Sequence, residues 1–298
     1  MLAQLVPAAL QLSLMLIVLG TGLGARAGDA RHLLKRPKHL AKTLLSMNVV
    51  MPLLVLIAVR SFALHPAVKI ALFTLAISPV PPLLPRKAAS AGARHYMLSL
   101  LLTTSVLAVA TVPLGFAAGM AALGGSSTVL VASILRLVII TVVAPFGVGL
   151  LVRSLAPTLA GRALKPVSLI ANVLLVASVV PVLVTASAPM LRLVGNGTLL
   201  AFAAFAGTGL LIGHLLGGPE PGERVVLALA TSSRHPGIAL VVAQSAFPAQ
   251  TEVLPALLTY LIVESLISIG YVRWLKRWRA AHMPALMASR PEAPPQPH

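Results

Sequence analysis

Long apolar runs, each bounded by short clusters of charge, proline and glycine, recur along the whole chain. A helix needs about 20 apolar residues to cross a bilayer. Runs near 3–24, 43–63, 67–93, 95–118, 128–153, 165–187, 196–217, 223–248 and 252–274 meet that length and predict about nine transmembrane segments. The stretch from Leu130 to Leu151 carries one charge, Arg136, and that from Val167 to Ala186 carries none. The fold class this predicts is an all-α polytopic membrane bundle, and the first run reads as a retained helix because no positive charge precedes it.

Two of the runs are interrupted in ways no continuous helix survives. In the third, Pro79, Pro81, Pro82 and Pro85 follow one another mid-run. Each removes a backbone donor and crowds the preceding turn. In the eighth, Thr231-Ser232-Ser233-Arg234-His235-Pro236-Gly237 sets polar residues inside an apolar run. Non-helical backbone at that depth is tolerated only where protein or a water-filled cavity surrounds it. The two breaks fall in matching places, next to last in each half. That pattern predicts an inverted repeat: a four-segment first repeat over 1–118 with its break near 79–86, and a five-segment second repeat over 128–274 with its break near 231–237. A proline-rich tail over 280–298 is expected to be disordered and cytoplasmic.

Composition sharpens the membrane reading. Of 298 residues 58% are hydrophobic and 10% charged, which a soluble domain does not reach. The net charge of +17 suggests nucleic acid only until its placement is considered. Arg26, Arg31, Lys35, Arg36, Lys38 and Lys42 crowd the first loop, and Arg273, Lys276, Arg277 and Arg279 follow the last apolar run. If both clusters are cytoplasmic, Lys87, Arg94, Arg153, Arg162, Lys165 and Arg224 join them, and only Arg60, Lys69 and Arg192 fall on the other side. By the positive-inside rule this places the N-terminus outside and the C-terminus inside, in a multi-pass inner-membrane protein whose environment is lipid and not nucleic acid. With no cysteine there is no thiolate nucleophile and no thiolate metal site.

Several short stretches together resemble the bile acid:sodium symporter family. They are Leu19-Gly20-Thr21-Gly22-Leu23, the loop Leu33-Leu34-Lys35-Arg36-Pro37-Lys38, Met51-Pro52, Pro79, the Ser99 to Ser105 stretch, and Pro236-Gly237-Ile238-Ala239-Leu240. The resemblance runs from about Pro7 to Trp274. It implies a panel and a core domain built from inverted repeats, two broken helices that cross in the core, and two sodium sites behind the crossing. The ligand positions depart from that pattern. The family's acidic residue on the second broken helix falls on Ala230 and its glutamine on Arg234, while its Ser-Asn pair falls near Pro85 and Arg86. Ser99 and Thr103 remain as ligand-like positions. The usual two sodium sites are therefore not expected, and no other metal or cofactor is implied.

Charge at bilayer depth needs a reason, since a central arginine costs at least roughly 2.5 kcal/mol. Lys87 reaches the cytoplasmic side by snorkelling, and Arg86 does so in part. Arg234 does not, with about ten residues on either side. Arg234 and Arg86 are read as fixed cations that take a carboxylate together with half-helix N-termini. The alternative is a structural pair between Arg234 and Glu264. Glu264 is the one acidic residue inside a membrane segment, and it is either such a partner or a carrier of a coupled proton, with His235 beside it. Thr231 and Ser233 line the cavity or cap the second half-helix, and Asn48 contacts substrate or backbone freed at Pro52.

The function expected is alternating-access transport of a small or amphipathic organic anion. A non-transporting membrane sensor or scaffold is the alternative, followed by an oxyanion efflux carrier, which the lack of cysteine weakens. An enzyme is not expected, because the chain offers no catalytic His-x-x-x-His, paired aspartates or cysteine. Substrate identity, the coupling ion and oligomeric state are left open.

Overall fold

The computed structural model describes residues 2–25, 33, 35–81, 84, 93–124, 132–133, 135–136 and 138–288. Every regular element among them is helical: α1 (Leu2–Gly24), α2 (Pro37–Ser61), α3 (Pro66–Ile77), α4 (Arg94–Ala122), α5 (Ile139–Leu155), α6 (Pro157–Leu193), α7 (Thr198–Leu216), α8 (Pro221–Ser232), α9 (Pro236–Ala246) and α10 (Val253–Ala288). Proline opens α2, α3, α6, α8 and α9. At that position its missing N–H is one the helix would leave unpaired anyway. Six stretches are long and apolar enough to cross a bilayer: Pro37–Ser61, His95–Ala122, Pro157–Leu193, Thr198–Leu216, Pro221–Ala246 taken across its break, and Val253–Trp278. Ala8–Gly24, α3 and α5 are shorter apolar helices.

Three boundaries differ from those the sequence suggests. α6 is one helix of 37 residues, so at 1.5 Å per residue it extends about 55 Å and well beyond the hydrocarbon layer. The second break is narrower than the polar heptad, because Thr231 and Ser232 still belong to α8 and only Ser233, Arg234 and His235 lie between the helices. The chain past residue 280 is not a disordered tail from its start, since α10 continues to Ala288. The remainder, 289–298, lies outside the described residues.

Two packed clusters stand out, joined where α6 lies against α10. α1 lies against α5 and α6. Ser13 Oγ donates to Ala171 O at 2.7 Å, and Gly22 meets Gly149 so closely that a Cβ on Gly22 would fall 3.0 Å from the Gly149 Cα. This is packing by small residues, which lets membrane helices approach backbone to backbone. In the second group α3 and α8 are buried on nearly every side, as helices apolar all round must be. Phe73 stacks on Phe116 with centroids 5.8 Å apart, and Tyr260 of α10 sits between Phe202 and Phe205 of α7 at 5.8 and 5.6 Å.

Ion pairs tie the loops together at the two ends of the bundle. Arg36 pairs with Glu223 at 2.8 Å and His39 lies 3.6 Å from the same carboxylate, joining the starts of α2 and α8. At the opposite end His65 lies 3.4 Å from Glu252. At the end of its membrane-long stretch α10 carries Trp274 and Trp278, both exposed and one turn apart, among Arg273, Lys276 and Arg277.

α7 offers a matched pair of glycines. A Cβ on Gly213 would lie 2.5 Å from Leu227 O and 2.6 Å from the Ala228 Cα, whereas one on Gly207 meets nothing within 4 Å. Gly213→Ala is expected to lose roughly 1–3 kcal/mol through overpacking, while Gly207→Ala holds or gains a few tenths from helix propensity. Thermal unfolding of the two variants in detergent checks this difference.

Candidate functional site

The two unwound stretches touch each other. The backbone N–H of His235 donates to Pro79 O at 3.0 Å. Local chemistry dictates both breaks. Pro79 forces Ser78 out of the helical region, where it is found extended. Pro236 does the same to His235, and Ser233 is extended as well. In lipid each freed backbone group must find an internal partner, and α10 supplies one as well as a side-chain network beside the break. Tyr260 donates its hydroxyl to Ser232 O. Ser233 Oγ donates to Glu264 Oε1 at 2.5 Å, and Ser268, one turn further along α10, donates to the same oxygen at 2.7 Å.

Arg234 is 1% exposed and is the largest fully buried side chain among the described residues. Its Nη1 donates to Ser78 O at 3.1 Å and its Nη2 to Met47 O at 2.8 Å. Both oxygens lack helical partners. Ser78 caps the C-terminus of α3. Met47 lies in a wide turn of α2, where the N–H of Met51 reaches back five residues to Ser46 O. Pro52, next in that register, has no N–H to give to Met47 O. Arg234 and Glu264 do not pair with each other: the guanidinium goes to carbonyls, and the serine hydroxyls hold the carboxylate. Arg234 Nε finds no hydrogen-bond partner among the described residues.

His235 caps α9, its Nδ1 accepting from the Ile238 N–H at 3.3 Å. A neutral imidazole that accepts at Nδ1 carries its proton on Nε2. That donor is buried and finds no acceptor among the described residues.

Beside the second break, among α1, α6, α9 and α10, lies a cavity of about 400 Å³. Leu10 and Leu14 of α1, Leu175, Val176, Val179 and Val180 of α6, and Leu254, Leu257, Leu258 and Leu261 of α10 form its apolar wall. Ser233, Arg234, His235, Glu264 and Ser265 bring the polar groups. A neighbouring cavity of about 140 Å³ shares Leu10, Leu14, His235, Gly237, Leu240 and Leu254, and His235 also borders a small void beside Pro79 and Ser105.

The structure gathers Ser233, Arg234, His235 and Glu264 at this cavity and leaves other expected site residues elsewhere. Thr231 is fully buried, 3.3 Å from Ser46 Oγ, and joins α8 to α2. Ser99 accepts the Leu33 N–H at 2.8 Å. Its neighbour Thr104 back-bonds to Leu100 O at 2.8 Å, and Thr103 is buried at the same level of α4. Asn48 is half-buried in the wide turn and does not line the cavity beside the second break. Arg86 and Lys87 lie outside the described residues. Sequence reasoning missed Met47 O, Tyr260 and Ser268. Pro52 signals the first through its missing N–H, and a tyrosine and a serine on an apolar span signal the others.

The described residues thus form an all-helical, multi-pass membrane bundle whose two unwound stretches touch beside a cavity. The chain matches the family model of the Sodium Bile acid symporter family over residues 11–191, well over half its length, and it belongs to that family. A search among curated proteins finds no match to it.

Tyr260→Phe removes the donor to a carbonyl that has no water to turn to. An unpaired buried acceptor costs about 1–3 kcal/mol, so the variant is expected to unfold at lower temperature in detergent. Tyr271→Phe, which loses the 2.7 Å contact to half-buried His214, is expected to lose less.

Proposed function

We propose that the protein is a secondary transporter that carries an organic anion with an apolar body by alternating access, through the cavity beside the crossing. The cavity itself carries this reading. Its volume falls within the range of small-molecule sites, about 300–1,000 Å³, and its polar groups gather around one break while the wall is otherwise apolar. An anionic head placed there would take the orphaned Nε2–H of His235 and the Gly237 N–H that the first turn of α9 leaves unpaired. The positive end of the α9 dipole favours the same charge. A body rich in hydroxyls would lose its hydrogen bonds to water against leucine and valine, so an apolar body fits better.

α1 packs closely on both α5 and α6, which supports a panel of those three moving against a core. The six long and three short apolar helices support nine crossings in two inverted repeats, and the charge asymmetry supports an inner-membrane protein with an outer N-terminus and a cytoplasmic C-terminus. For coupling, the reading is a carrier without the family's usual sodium sites. Ala230 offers no side-chain ligand oxygen, and Arg234 engages carbonyls at the crossing that a cation would need. A second cation about 4 Å from the guanidinium would be repelled by about 4 kcal/mol at an effective dielectric of 20. Glu264, lining the cavity in its pair of serine hydroxyls, is the group assigned to a coupled proton.

Proteoliposomes test all of this together. Carboxylates with apolar bodies are expected to accumulate under an imposed pH gradient equally well in sodium and in choline, with Glu264→Gln losing the response to the gradient. Binding without flux under any gradient would favour the sensor, and strict sodium dependence would restore the family's coupling.

A further inference from the structure

The Arg234 guanidinium occupies a place built for a cation. Two carbonyl oxygens from separate helices converge on it, Ser78 O at 3.1 Å and Met47 O at 2.8 Å. Neither has a helical partner, for the reasons of proline chemistry given above. Ser78 stands at the C-terminal, negative end of the α3 dipole, and Arg234 itself leaves the C-terminal end of α8. Unwound carbonyls and half-helix C-termini are what broken-helix carriers turn towards monovalent cations. Arg234 is buried, no carboxylate among the described residues pairs with it, and its hydrogen bonds go to backbone carbonyls. Buried membrane charges pair with one another or with backbone carbonyls; Arg234 takes the carbonyls, while Glu264, on the same cavity, accepts from Ser233 and Ser268.

We infer that Arg234 is a tethered cation filling a cation site formed by α2, the first break and the second break. Deleting its head group opens that site to a free monovalent cation, guanidinium best and sodium less well. The native protein then carries its crossing cation permanently, and the variant must borrow one from solution. This deepens the proposed mode of coupling but does not depend on flux: the site exists whether or not the protein transports.

The test is thermal unfolding of purified Arg234→Ala and native protein in detergent, at constant ionic strength in choline, sodium or millimolar guanidinium chloride. Native protein is expected to unfold at one temperature in all three salts. Arg234→Ala is expected to unfold on the order of 5 °C lower in choline, and guanidinium should restore that loss in a saturable way. An unchanged unfolding temperature, or a lowered one that no cation raises above its choline value, overturns the inference. Should the alanine variant not fold, Arg234→Lys and Arg234→Gln decide: the lysine form should be stable and salt-indifferent, and the glutamine form lowered and raised by cations. Equal stability of those two would overturn it as well. Since unfolding is read without substrate, failed transport in proteoliposomes leaves this result standing, and the reverse holds too.

Discussion

Lipid cannot hydrogen-bond to backbone, and the crossing of the two breaks is organised around that constraint. Opening α3 at Ser78 and the second broken helix at Ser233 frees carbonyls and N–H groups where no water replaces their partners. Each break supplies part of the answer to the other. The His235 N–H finds Pro79 O, and Arg234 reaches across to Ser78 O. Tyr260 closes the account at Ser232 O. The breaks are therefore stable only as a pair, and what lies beside them, the cavity and its polar end, is positioned by the same few bonds.

Packing carries that geometry outward. Gly209 and Gly213 let α7 touch the backbone of α8, so the half-helix that delivers Arg234 is fixed from behind. α1 meets α5 through Gly22 and Gly149, so these two helices are held backbone to backbone.

Much of this was legible in the sequence because proline and polar residues within apolar runs have few physical outcomes. Pro79 and Pro236 mark both breaks to within a few residues, and the polar stretch around Arg234 names most of the cavity's polar end. What sequence reasoning could not supply was the partner of Arg234. It weighed side chains, an anion or Glu264, and the structure used backbone oxygens. Ser78 O and Met47 O belong to residues whose side chains carry no such message, and only register arithmetic at Pro52 predicts the second. The length of α6 and the continuation of α10 were missed for another reason: charged and proline residues at helix ends read as loops, although Pro166 and the basic residues after Arg273 sit comfortably on helix surfaces that leave the membrane.

That continuation of α10 has a mechanical consequence. A helix that passes from the apolar span into a turn bearing Trp274 and Trp278 among basic side chains is held at one height, because indole rings settle at the headgroup level and cations stay with phosphate. α10 also packs on α7 and lines the cavity wall. The indole belt on α10 therefore sets the depth of the helix that forms one wall of the cavity.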